Sequence, residues 1–206
     1  MSNTASKDDL EFLRDMADAG AFAPLLSGRF LAWWGGVMTL AYGLHYGIIS
    51  GSFGVGPQYV GVMWMVAVAV ALAGQFAMGA LYPANKPGSS SAGNRARVVW
   101  TAAGLSIFAF FAGTVPASAL EFIPPIGVNY SIPLVFSVYA CALMVTGVLA
   151  KDRVLTFAAW VSIVTVGVTA FRVAFADAYL FAMAGVFLTA FVPGLIQLLS
   201  EPKSVV

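Results

Sequence analysis

Four residues with side chains able to do chemistry recur at helical spacing: Ser162, Thr165, Thr169 and Arg172. On one helix they fall within an arc of about 80° and form a polar stripe ending in a cation. A stripe of this kind could line a path or pocket for a small solute, with Arg172 drawing anions into its mouth. The plainer reading has the hydroxyls bond back to carbonyls of the preceding turn, while Arg172 pairs with Asp177 or reaches the headgroups. Residue types alone leave both readings open.

The second group able to do chemistry is His45, the one histidine of the chain. Counted from Arg29 it lies about 24 Å along its helix, which places it at a depth similar to Arg172, Asp177 and Glu121. A histidine beside carboxylates takes up protons at physiological pH and would suit proton-coupled movement of a solute. Beside Tyr42 and Tyr46 it could equally be an interfacial or core-bonded ring. One imidazole cannot supply a two-histidine haem site. The chain also has no phosphate loop, no His-Glu-x-x-His motif and no convincing Ser/His/Asp set. The single cysteine, Cys141, lies in an apolar run and is expected to be a small buried hydrophobe, with no disulfide and no Cys-type metal site. No catalytic residue, metal or cofactor is expected.

The elements that must position these groups are apolar helices. The chain is 60% hydrophobic and 9% charged, far from the roughly 25% charge of soluble domains. Its net charge of +1 excludes the concentrated basic surface of a nucleic-acid binder. Apolar runs bounded by turn residues predict an all-α integral membrane protein with six transmembrane helices. The spans are residues 28–51, 59–82, 98–115, 132–150, 154–173 and 178–199. The first run starts too late and is too long for a cleaved signal peptide. Before it, residues 1–27 form a polar segment in which Leu10, Leu13 and Ala17 predict a short amphipathic helix with an acidic outer face. Residues 28–200 form the transmembrane domain and 201–206 a short tail.

Orientation follows from the cations. With the amino terminus in the cytosol, Lys7, Arg14, Arg29, Lys86, Arg95, Arg97, Lys151, Arg153 and Lys203 all fall on the cytosolic side and only Arg172 faces outward. Translocating Lys and Arg is costly, so both termini are expected in the cytosol, in a bacterial inner membrane. Two halves of three spans would then have opposite topologies, as in an inverted repeat, although no residue-level similarity joins them.

Small residues and a proline indicate how the helices meet. Gly36, Gly43 and Gly47 with Ala32 make a narrow stripe on the first span, suited to close helix packing, and His45 points away from it. Ala178, Ala182, Gly185 and Thr189 line one side of the sixth span, a partner for that stripe. Pro193 cannot donate to the carbonyl of Thr189 and predicts a kink.

Three short matches carry a resemblance: Ala23-Pro24-Leu25 before the first span, Leu44-His45 late in it, and Gln75-Phe76-Ala77 in the second. With six spans and this length, the chain resembles the bacterial acetate uptake transporter family, whose Asn-Pro-Ala-Pro-Leu-Gly-Leu signature would correspond to Ala21 through Ser27. The resemblance implies an oligomer that passes small monocarboxylates. Two functions therefore stand side by side. One is a transporter or channel for a small solute, with a monocarboxylate-like anion as one candidate, using Ser162, Thr165, Thr169, Arg172 and a proton-sensitive His45. The other is a noncatalytic membrane protein that assembles with or regulates a partner through the acidic N-terminal helix and the glycine face of the first span.

Overall fold

The computed structural model describes residues 28–81 and 91–200, with side chains from residue 95 onward in the second segment. The predicted amphipathic helix, the matches at Ala21 to Ser27 and the carboxy-terminal tail lie outside these residues. All regular structure among the described residues is helical. The long helices are α1 (Gly28–Ile49), α2 (Val60–Leu81), α3 (Ser91–Ala119), α4 (Ser131–Ala150), α5 (Arg153–Phe171) and α6 (Ala178–Ser200). A single turn of 3-10 helix, Pro57–Tyr59, leads into α2, and the four-residue helix Ile126–Asn129 precedes α4. Five helices are long and apolar enough to cross a membrane: Pro57–Leu81, Arg95–Ala119, Ile126–Ala150, Arg153–Phe171 and Ala178–Ser200. Helix α1 has the length, at 22 residues, but is not among them, because Trp33, Trp34, Tyr42, His45, Tyr46 and its glycines dilute its apolar character.

That dilution has a structural cause, since α1 packs against protein on two sides. The helices pair in the spatial order α3, α4, α5, α6, α1, α2. Helices α2 and α3 are therefore the flanks, and only 6% of the residues in their most apolar windows are buried, against 50% in Ile126–Ala150. The core lies between α1, α4, α5 and α6, around Phe136, Ile132, Leu143, Leu155 and Val186. At ~25 cal/mol per Å2 a fully buried side chain of this size contributes about 1.5–3 kcal/mol when water is the reference, and less when lipid is. Gly51 and Gly54, both at positive φ, allow the tight hairpin between α1 and α2. Lys151 (φ 52°) ends α4 in the left-handed region, and the Asp152 side chain caps the next helix by accepting from the backbone N–H groups of Val154 and Leu155.

The closest helix contact joins α1 to α6, through glycines next to the predicted stripe. A methyl added to Gly35 would sit 2.7 Å from the Ala190 carbonyl carbon and the Phe191 Cα. One added to Gly28 would sit 2.7 Å from the Gly194 carbonyl oxygen, and one on Gly194 2.7 Å from Ala32 Cα. Backbone thus lies on backbone at Gly28, Ala32 and Gly35. Gly36 and Gly43 face flexible side chains of α6, Phe191 and Met183, and Gly47 receives the Phe53 ring of the following turn. The sixth helix is the expected partner and meets α1 along its length, with Met183 on Gly43 and its backbone closest from Ala190 to Leu198, while Gly185 faces Thr165 of α5 and Phe136 of α4. Directly before Pro193, residues Phe187–Phe191 form a π turn in which the Val192 N–H donates to the Phe187 carbonyl. The wider turn sits against Gly35 and accommodates the proline within a continuing helix.

Candidate functional site

Helix α1 directs His45 between the flank and the core, where it is 8% exposed. The Trp64 indole N–H of α2 donates to His45 Nδ1 at 2.9 Å. An accepting Nδ1 places the imidazole proton on Nε2 and defines a neutral tautomer. The opposite contact is Tyr179 of α6, whose ring centroid lies 3.6 Å from that of His45 at 34°. Tyr179 in turn donates its hydroxyl to Asn129 Oδ1 at 2.6 Å, and Asn129 donates to the Val173 carbonyl at 3.1 Å. Tyr42 closes the cluster, edge-on to Trp64 at 5.1 Å. Helices α2 and α6 thus meet at the buried imidazole of α1, and the small helix joins through Tyr179. Such edge-on and tilted ring pairs contribute about 0.5–1.5 kcal/mol each beyond their buried area.

Expected neighbours of His45 are elsewhere. Arg172 donates to both oxygens of Asp177, through Nε at 3.1 Å and through Nη2, and its guanidinium lies 4.3 Å over the Phe175 ring. That pairing raises the Arg172 pKa above its ordinary value, chiefly through the hydrogen bond to Asp177, with desolvation acting the other way. Glu121 is exposed, at a left-handed backbone position (φ 61°) in the turn after α3. The His45 ring therefore has no carboxylate partner among the described residues.

The polar stripe of α5 points into the seam between α4, α5 and α6. Ser162 and Thr169 are fully buried and Thr165 is 8% exposed. Ser162 donates across the seam to the Phe136 carbonyl of α4 at 3.0 Å. Thr165 donates back to Val161 at 2.8 Å and Thr169 to Thr165 at 2.7 Å. Phe136 and Gly185 close the seam over Thr165. Each hydroxyl of the stripe donates to a carbonyl, so none needs a solute as its acceptor. Arg172 caps the carboxy-terminal end of this helix from outside the seam.

Sequence reasoning overlooked the tryptophans. Trp33 donates to the Ala71 carbonyl at 3.0 Å, Trp34 to Gln75 Oε1 at 2.6 Å, and Trp100 to Thr146 Oγ1 at 3.0 Å. With Trp64, four indoles fasten the two flanking helices to the core. The signal was available: an indole N–H inside an apolar run needs an acceptor, and only a neighbouring helix or its polar side chains can supply one. Cys141 corrects the opposite expectation, since it is exposed on the outer side of α4.

Compared with known proteins, the chain matches no family, no curated protein and no solved structure. The resemblance to acetate uptake transporters rests on the three short sequence matches alone. The five apolar helices define the class as a multi-pass, all-helical membrane protein.

Proposed function

We propose that this is a noncatalytic six-span membrane protein that works by assembly, with α1 as the additional span and both termini in the cytosol. The observation that carries this reading is the α5 stripe: Ser162 and Thr169 are fully buried and their hydroxyls already have acceptors. A route for a solute needs unsatisfied or water-facing polar groups, and this seam has none to offer among its hydroxyls. The glycine face of α1 is occupied by α6, and the least buried surfaces for assembly are the outward faces of α2 and α3. Both carry apolar side chains together with glycines that meet nothing, Gly61 and Gly79 on α2, Gly104 and Gly113 on α3. Small residues of this kind favour close helix association within a bilayer.

The test has two arms. Purified protein in liposomes should give no uptake of acetate or propionate above protein-free vesicles at either of two pH values. In native membranes, a Leu105→Cys variant in a Cys141→Ser background should cross-link to discrete covalent species. Carboxylate uptake, or monomer alone after cross-linking from Leu105 and from matching positions on α2, would overturn the proposal.

A further inference from the structure

At the end of the α4–α5 hairpin the surface carries a depression of about 410 Å3 lined by Gly147, Val148, Lys151, Asp152, Arg153, Thr156, Phe157 and Trp160. We propose that it is a binding site for one anionic phospholipid, with the phosphate between Lys151 and Arg153 and an acyl chain along Phe157 and Trp160.

The charge in the depression is positive where it can reach a ligand. Lys151 and Arg153 are exposed and form no ion pair among the described residues. The carboxylate between them is already used. Its Oδ1 accepts from Val154 and Leu155, and its Oδ2 accepts from Gln197 of α6 at 2.9 Å. Asp152 therefore orders the hairpin and pairs with neither cation among the described residues. The hairpin itself is rigid, because Gly147 packs so closely on Thr156 that a methyl there would lie 2.7 Å from its hydroxyl. A fixed backbone holds the two cations at the boundary between the spans that end at Ala150 and begin at Arg153.

The wall of the depression suits a lipid tail. Phe157 and Trp160, 70% and 57% exposed, line it, and Val164, 66% exposed, continues their stripe beyond it, the three following Arg153 at intervals of four, three and four along one face of α5. Eleven residues of helix rise about 16 Å, close to half of a ~30 Å hydrocarbon core, so the stripe runs as deep as one leaflet. Val148 of α4, 64% exposed, forms the facing edge. Cations at the headgroup level, an indole just below them and an apolar stripe beneath match a phospholipid from head to tail. Inorganic phosphate would use the cations and leave the wall empty.

The proposal rests on α4 and α5 lying in a bilayer, and its experiment separates the two ideas. Full-length protein in mild detergent is titrated with dioleoyl phosphatidylglycerol or dioleoyl phosphatidylcholine, and bound lipid is counted by native mass spectrometry. One phosphatidylglycerol should be retained per chain, held about tenfold or more tighter than phosphatidylcholine, given roughly fivefold per basic residue near an anionic headgroup. Lys151→Gln with Arg153→Gln should bring the two lipids to parity, and Arg97→Gln should not. Millimolar inorganic phosphate should leave phosphatidylglycerol bound. Equal retention of both lipids by the native chain, a preference that survives the double substitution, or displacement by phosphate would overturn the site. Should the double variant aggregate, each single substitution is read instead and should reduce the preference several-fold; no reduction in either counts against the site. Alkaline extraction of native membranes tests the bilayer itself: release of the chain removes the spans, whereas retention without a lipid preference removes only the site.

Discussion

Gly35→Ala tests the packing of α1 on α6 with the smallest perturbation available. The added methyl would meet the Ala190 carbonyl carbon and Phe191 Cα at 2.7 Å, with the Phe191 nitrogen nearer still. These are backbone atoms, so no rotamer change relieves them, and the two helices must separate or the π turn must move. Overpacking costs about 1–3 kcal/mol, and the upper end applies where backbone is struck. Alanine returns about 1 kcal/mol of helix propensity, leaving a net loss of about 2 kcal/mol. Gly104 of α3 provides the control, because a methyl there meets nothing within 4 Å. Gly104→Ala should gain up to about 1 kcal/mol, so two chemically identical substitutions should differ by about 3 kcal/mol. The assay is thermal unfolding in detergent followed by tryptophan fluorescence. For a chain of this size Gly35→Ala should lower the midpoint by roughly 4–8 °C, and Gly104→Ala should hold or raise it slightly. Equal midpoints for the two variants would refute the reasoning, as would a Gly35→Ala protein as stable as the parent.

The other expectations concern single hydrogen bonds and exposures. Trp64→Phe and His45→Leu should each destabilise, and together by less than their sum, with a coupling of about 1 kcal/mol in a double-mutant cycle; strict additivity would mean the indole–imidazole bond contributes nothing. Ser162→Ala removes a bond between helices and should lower stability by about 0.6–1.5 kcal/mol, whereas Thr169→Val loses only a bond within its own helix and should cost less; the reverse order in mixed-micelle unfolding would contradict the seam. Arg172→Gln breaks an ion pair whose side chains are each about a third exposed and should leave the unfolding midpoint unchanged within error, as surface pairs do. Cys141, exposed on α4 midway along its span, should resist maleimide in native membranes, where hydrocarbon suppresses the thiolate, and react after denaturation in SDS; rapid labelling by a charged, water-soluble maleimide in intact membranes would place it in water.

Much of the helical framework could be read before any coordinates. The spans over 132–150 and 178–199 match α4 and α6 to one residue at each end, because Pro133, the Lys151-Asp152-Arg153 turn and Asp177 punctuate runs with no other charge. Helix α3 departs most: it starts at Ser91 and continues through Pro116 to Ala119. A proline near the end of a helix removes one bond and does not stop the chain where the remaining turn has other support. The small helix Ile126–Asn129 was hidden in a connection rich in proline and apolar residues, yet it places Asn129 against Tyr179. The glycine stripe was incomplete for a related reason: Ala32, Gly36 and Gly43 do face α6, but the closest backbone contacts also use Gly28 and Gly35. Periodicity identifies a face to within about a residue, and Gly35 and Gly36 differ by ~100°, so only the position of Ala190 to Gly194 decides which glycine is indispensable.

The candidate site was less legible than the framework. Its residues lie on α1, α2, α6 and the small helix, with 134 positions between His45 and Tyr179, and no local pattern links them. The polar stripe was visible as a stripe, but its hydroxyls have alternative acceptors on their own helix, and the choice between those and a solute depends on what Phe136 and Gly185 cover. His45 followed the same rule: its position was fixed by helix length, and its chemistry by Trp64 and Tyr179 arriving from other elements.

The central claim is that the α5 stripe is sealed. In a Cys141→Ser background, Ser162→Cys and Thr169→Cys should resist a charged methanethiosulfonate reagent in native membranes, while Arg153→Cys at the exposed hairpin reacts rapidly. Modification of Ser162→Cys and Thr169→Cys at a rate approaching that of Arg153→Cys would put water along the stripe and contradict the account.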